Sequence, residues 1–155
     1  MTSRWPRPIF FLVFVLAVAL DQATKAWATG WLEPRGFVAV VPGFFNLTYV
    51  RNTGVAFGMF AGHGLLVAAF MVALVILALV FSRGLNWARL EPNIVGGCLV
   101  GGAVGNLIDR ARIGYVVDFL DFYTGPHHWP SFNVADSLIC VSVAWIVGRQ
   151  VGAKN

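Results

Sequence analysis

Charge is the scarcest property of this 155-residue chain. Charged residues make up 12% of it, against roughly 25% in a typical soluble domain. That scarcity, with 58% hydrophobic residues and a mean hydropathy of +0.74, excludes a soluble globular domain and marks an integral-membrane protein. Cysteine is nearly absent as well. Cys98 and Cys140 each lie inside an apolar segment and are read as small buried hydrophobes rather than as a disulfide or a metal site. Histidine offers no better metal site: His127-His128 lack both accompanying cysteines and a His-x3-His helical spacing, and are read as loop residues. No long polar stretch remains once the apolar segments are set aside, so residues 1–155 form a single membrane domain. The net charge of +4 and pI near 9.6 would point a soluble chain toward an anionic partner. Here the cations flank apolar spans, where anionic lipid attracts them. Membrane lipid is the expected partner and nucleic acid is not.

What the chain does have is apolar length. A hydrocarbon core about 30 Å thick is crossed by roughly 20 apolar helical residues, and four such spans are expected, over residues 9–28, 63–82, 93–110 and 135–151. Arg4 and Arg7 give the first a positive flank. A cleaved signal peptide is the alternative there, because Ala17-Val18-Ala19 has a small-x-small form, but the helical pattern continues past it. Asp21 and Lys25 stand four apart with the acid first, the favourable order for a same-face pair, and ionisable groups inside a span face a partner or a polar cavity. The second span, Leu65 to Phe81, has no charge. The third carries Gly97, Gly101 and Gly105 at a spacing that lets helix backbones approach closely in lipid, with Asn106 and Arg110 sharing a face at its end. Between the first two spans, Phe37 to Val41 and Phe44 to Val50 flank Pro42-Gly43 and read as a small hairpin. Arg51-Asn52-Thr53-Gly54 follows as a polar turn. Residues 111–130 are again outside the membrane, with Trp129 suited to its interface.

Four crossings put both termini on one side with Arg83 and Arg89. Asp21, Glu33, Asp109, Asp118, Asp121 and Asp136 then gather on the other, leaving only Glu91 with the termini. Acids contribute little to insertion, so their segregation needs another reason. Asp118, just beyond the third span, and Asp136, opening the fourth, can converge at the outer surface. Two carboxylates sharing a site hold one proton between them over a wide pH range. The ionised member can take a proton from a water attacking an amide, while the protonated one donates to the carbonyl oxygen and then to the leaving nitrogen. The bland readings are a helix cap for Asp136, a place Asn133 fills equally well, and a helix-end ion pair for Asp109-Arg110.

The joint pattern shifts the balance. Asp21…Lys25, Arg51-Asn52-Thr53-Gly54-Val55-Ala56-Phe57, Gly101-Gly102-Ala103-Val104-Gly105-Asn106-Leu107-Ile108-Asp109-Arg110, Val117-Asp118-Phe119 and Phe132-Asn133-Val134-Ala135-Asp136-Ser137, in that order among four hydrophobic segments, closely resemble the lipoprotein signal peptidases, or signal peptidase II. The resemblance covers nearly the whole chain. It implies a mainly α membrane protein of four transmembrane helices, with a small extracytoplasmic β-cradle and a short amphipathic segment. The implied activity is that of a bacterial aspartic endopeptidase in the cytoplasmic (inner) membrane, with both termini cytoplasmic and the active site extracytoplasmic. It would act, without metal or cofactor, on prolipoproteins, cutting just before the diacylglyceryl-modified cysteine; a monomer is expected separately, because packing within one chain satisfies the glycine face of the third span equally well. Asp118 and Asp136 match the catalytic dyad. Asn52, Gly54, Asn106, Arg110 and Asn133 match the residues around it that hold dyad and substrate, and Asp21, Lys25 and Asp109 match structural supports. The competing readings are a small proton-coupled transporter using Asp21, Asp118 and Asp136, and a noncatalytic membrane chaperone.

Overall fold

The computed structural model describes residues 7–54, 73, 76 and 86–152. The first apolar segment is one helix, α1 (Pro8–Trp31), with proline in its first turn, where the missing N–H has no helical partner to lose. Its inward stripe is Ala17, Asp21, Lys25 and Ala28, while Phe11, Leu12, Val15, Leu16 and Leu20 are exposed. Polar residues inside and large apolar ones outside is the arrangement a hydrocarbon solvent selects. At 24 residues α1 is long and apolar enough to cross a membrane, as is α2 (Leu90–Ile113). The expected span over residues 63–82 lies outside the described residues except for Ala73 and Ile76, both helical.

The glycine stripe of α2 packs on α1. A Cβ on Gly97 would meet Phe10 O at 2.8 Å, one on Gly101 would meet Ala17 Cβ at 2.6 Å, and one on Gly105 would meet Asp21 Oδ2 at 2.3 Å. Contacts that advance together along both chains make the two helices parallel. Asn93, fully buried, pins their starts by accepting the Arg7 N–H at 2.7 Å and donating to Trp87 O and Arg89 O. The third helix, α3 (Val134–Gly152), runs back along α2: Gly102 abuts Ala135 O, and Glu91 at the start of α2 pairs with Arg149 near the end of α3 at 2.8 Å. Cys98 is half-buried and Cys140 exposed, both as free thiols. The expectation that both are buried therefore fails for Cys140, which lies on the outer face of α3 with the exposed Val141, Val143 and Val147.

Beyond the ends of α1 and α2 lies a four-stranded antiparallel sheet in the order β1 (Phe37–Val41), β2 (Phe45–Asn52), β3 (Val116–Thr124) and β4 (His127–His128). The hairpin expected at Pro42-Gly43 forms, with Gly43 at φ +84°. The other half of the sheet corrects the reading of His127-His128 as loop, and it gives residues 111–130, to which the sequence reading assigned no element, two strands. β3 escapes a period-two reading because Val116, Val117, Asp118 and Phe119 are buried consecutively, with no solvent-facing alternate. Its inner face joins Ala28, Leu32, Val117 and Phe119 into a small core that seats the sheet on the end of α1. Among the described residues there is no counterpart of the short amphipathic segment that the resemblance implies.

Candidate active site

Asp118 is delivered by β3 between two chain segments that each bring an amide. On one side β2 pairs with β3, Asn46 opposite Asp121 and Asn52 opposite Val116, and the register slips by one residue between Leu47 and Val50. On the other side Phe132 O accepts from both Phe119 N–H, at 3.0 Å, and Leu120 N–H, at 2.9 Å, a local irregularity of the kind that re-aims side chains beside active sites. The outcome is that Asn52 Nδ2 donates to Asp118 Oδ2 at 2.8 Å and Asn133 Nδ2 to Asp118 Oδ1 at 2.7 Å.

Asp136 is held by the start of α3. Asn133 Oδ1 accepts the Asp136 N–H at 3.0 Å, and Asp136 Oδ2 accepts the Asn133 N–H at 3.2 Å. This is a reciprocal capping box with Asn133 as the N-cap. Cap and catalytic residue are therefore compatible roles: the cap fixes one oxygen of Asp136, while the other accepts Asn106 Nδ2 at 2.7 Å. Through Asn133, which binds both carboxylates, residues from β3 and α3 meet at one point.

Behind this pair lies a buried ionic cluster. Lys25 Nζ stands 2.9 Å from Asp21 Oδ2, 2.9 Å from Asp109 Oδ2 and 2.8 Å from Asn106 Oδ1. Asp21 Oδ1 accepts the Ala135 N–H at 3.1 Å, so a carboxylate of α1 also caps α3. The helix-end ion pair, the bland reading of Asp109-Arg110, does not form. Asp109 faces inward to Lys25, and the Arg110 guanidinium donates to the carbonyls of Gly54, at 2.8 Å, and Asn106, at 3.3 Å. Gly54 in turn gives its N–H to Asn52 Oδ1 at 2.9 Å, so Arg110 and Asn52 together fix the turn beside Asp118. All ten residues singled out in the sequence thus belong to one connected network.

Burial lifts the Asp118 carboxyl to about 7, and the nearby Asp136 charge adds to the rise, while the amides of Asn52 and Asn133 and the Lys25 charge pull it down. A carboxyl that exchanges its proton near neutrality, beside a second carboxylate, is equipped for acid and base work on one bond. Asp118 opens into a cleft of about 960 Å³ over the sheet, which also reaches Asn46, Asp121 and His128. Sequence reasoning missed those three and Gln22, whose Nε2 bridges Asp109 Oδ1 at 2.9 Å and Gly105 O at 3.2 Å. Asn46 and Asp121 become partners only through β2–β3 pairing, so no local signal marks them. No group of three or more His, Cys, Asp or Glu suited to a metal ion occurs among the described residues.

Residues 13–151 match the model of a peptidase family described as signal peptidase (SPase) II. The chain is 47% identical over 150 residues to a lipoprotein signal peptidase of Desulforapulum autotrophicum, covering 92% of this chain and 91% of that one. It is 44% identical over 140 residues to another from Geobacter metallireducens, covering 88% and 86%. A solved bacterial membrane enzyme superposes with a TM-score of 0.84 at 28% identity, covering 100% of this chain and 94% of that one.

Proposed function

This chain belongs to the signal peptidase II family, aspartic peptidases of the bacterial membrane that cleave signal peptides from prolipoproteins, and from that premise we propose that Asp118 and Asp136 are its catalytic dyad. The observation that carries the assignment is the double use of Asn133, which donates its side-chain amide to Asp118 and its backbone N–H to Asp136. One rigid residue thereby fixes two carboxylates from separate elements. In the reaction, a water between them attacks the scissile carbonyl carbon. One carboxylate takes the water proton, and the other, protonated, donates to the carbonyl oxygen. Collapse of the tetrahedral intermediate then expels the amide nitrogen with a proton from the dyad. Acid and base both come from the carboxylates, so no metal or cofactor is required. Arg110, Asn106, Asn52 and Gly54 hold the dyad and the turn facing the cleft, and Asp21, Lys25 and Asp109 support them.

The substrate is a prolipoprotein whose cysteine already carries a diacylglyceryl group, cut just before that cysteine. Such a lipid anchor keeps the scissile bond at the membrane surface, the depth at which α1 and α2 end and the sheet begins. The parallel course of α1 and α2 supports a returning span between them, and with it four crossings, both termini cytoplasmic and the dyad at the extracytoplasmic side of the inner membrane. The single domain works as a monomer, since the small-residue face of α2 is consumed within the chain by α1.

The test is cleavage of a diacylglyceryl prolipoprotein by purified protein. Asp118→Asn and Asp136→Asn each lower kcat by about 10²–10⁴-fold while the protein remains folded, and EDTA leaves the parent rate unchanged. A normal rate from Asp136→Asn, or loss of activity with EDTA restored by zinc, refutes the assignment.

A further inference from the structure

Gln22 puts a neutral amide into the ionic cluster behind the proposed dyad. It stands half-buried on α1, next to Asp21, and its two amide hydrogens meet three acceptors: Asp109 Oδ1 at 2.9 Å, Gly105 O at 3.2 Å and Asp21 Oδ2 at 3.2 Å. Its Oε1 accepts from the Arg112 guanidinium at 3.4 Å. Carboxylates and carbonyls only accept and a guanidinium only donates, so this amide can lie one way round alone. What Gln22 holds is the plane of the Asp109 carboxylate. The terminal torsion of an aspartate is broad, so the rotamer leaves the directions of its two oxygens open and donors must set them. With Oδ1 given to Gln22, Oδ2 faces Lys25 Nζ at 2.9 Å and the Val117 N–H at 3.4 Å. Both contacts lead to the dyad. Lys25 fixes Asn106 Oδ1, and with it the donation of Asn106 Nδ2 to Asp136, while Val117 immediately precedes Asp118 on β3. Arg112 is the competitor. It stands three residues beyond Asp109 on the same helix, a spacing that makes side chains neighbours, and would draw the carboxylate outward; instead it meets Gln22 Oε1.

We propose that Gln22 is a positioning residue for the cleavage reaction, acting on both dyad carboxylates by locking the Asp109 carboxylate toward Lys25 and Val117 and away from Arg112. The inference rests on the dyad reading above. Gln22 does not line the cleft over Asp118, and what it orders is the pair of carboxylates that moves protons in the transition state. Its loss therefore falls on kcat and leaves KM in place, the signature of an interaction realised only in the transition state.

Gln22→Met keeps the length of the side chain and removes both ends of the amide. In steady-state cleavage of a diacylglyceryl prolipoprotein peptide in micelles, well below the unfolding midpoint of each variant, it lowers kcat about tenfold at unchanged KM. A contribution to stability alone would move the midpoint and leave kcat where it was. Asp109→Ala, which leaves Lys25 paired with Asp21, supplies the second arm. Once the carboxylate is gone, adding Gln22→Met lowers kcat by no more than about twofold further, the non-additivity of residues that act through one another. Parental kcat in Gln22→Met overturns the inference, as does a raised KM at unchanged kcat, or the full loss repeated in the Asp109→Ala background. Gln22→Asn keeps a neutral amide but stops one methylene short of Asp109, and is read by the same criteria where Gln22→Met fails to fold. Asp118→Asn is run alongside. If it still cleaves, the underlying dyad reading falls, whereas an inactive Asp118→Asn beside a Gln22→Met of parental kcat removes the positioning role alone.

Discussion

At Asp118 the balance of forces is between burial, which favours the neutral acid, and amide donors, which favour the carboxylate. Burial prevails, the Asp136 charge reinforces it, and the group titrates near 7 rather than near its ordinary 3.8. The proposed step needs one proton on the pair, so kcat falls as pH rises through about 7 and that proton is lost. Single substitutions move this alkaline limb in opposite directions. Asn52→Ala removes a donor to the charged form and shifts the limb to higher pH. Asp136→Asn removes a neighbouring charge and lowers the Asp118 pKa, though not to the ordinary value, because burial is the larger cause and remains. Carboxyl 13C NMR of aspartate-labelled protein in micelles reads the Asp136→Asn shift, and the pH–rate profile reads the Asn52→Ala one. Stability follows the same proton. Because the folded-state pKa lies above the unfolded one, the native state binds more protons between about pH 4 and 7, and stability falls as pH rises across that window. Asp118→Asn flattens that slope, whatever constant offset the substitution adds.

Among the elements, the closest approach is between α1 and α2, and it is glycine that permits it. Gly101→Ala would set its Cβ 2.6 Å from Ala17 Cβ, and Gly105→Ala would press on Asp21, whereas a Cβ on Gly148 meets nothing within 4 Å. Overpacking of this kind costs about 1–3 kcal/mol, so Gly101→Ala and Gly105→Ala lower the unfolding midpoint in detergent. Gly148→Ala, inside α3, leaves it unchanged or raises it by the equivalent of roughly 0.5–1 kcal/mol. The four-residue glycine spacing made that interface legible from sequence, as apolar length made α1, α2 and α3 legible within a few residues at each end. The hairpin was legible because Pro42-Gly43 is a local signal. β3 was not, for burial on both faces erases the alternation that identifies a strand, and its identity as a strand depends on β2, which ends at Asn52, 64 positions before β3 begins at Val116. Asp118 and Asp136 stood out as candidates because acids are conspicuous against an apolar background, and the amides around them came with the family resemblance. The side-chain pairings were not legible: adjacency in sequence suggested Asp109 with Arg110, while the helix turns Asp109 toward Lys25 on another element.

Across the whole molecule, one ammonium ties the parts together. Lys25 on α1 pairs with both Asp21 and Asp109; Asp21 holds the Ala135 N–H of α3, and Asp109 Oδ2 lies 3.4 Å from the Val117 N–H of β3. Lys25 also orients the site, since an ammonium only donates. It therefore holds Asn106 Oδ1 toward itself and leaves Asn106 Nδ2 to donate to Asp136. Structural and catalytic roles can be separated on this basis. Lys25→Met strands two buried carboxylates and destabilises the protein by about 3–5 kcal/mol. Adding Asp21→Asn and Asp109→Asn removes the uncompensated charge, so the triple variant recovers much of the unfolding midpoint. Catalysis does not recover with it: only the longer bond from Asn133 Nδ2, at 3.3 Å, is left on its oxygen, so the Asn106 amide holds its orientation toward Asp136 less firmly, and kcat stays depressed about tenfold, the loss of roughly one hydrogen bond to a charged group, at unchanged KM. Thermal unfolding in micelles set beside steady-state cleavage makes the measurement, and a triple variant with parental kcat would show that Lys25 acts on the fold alone.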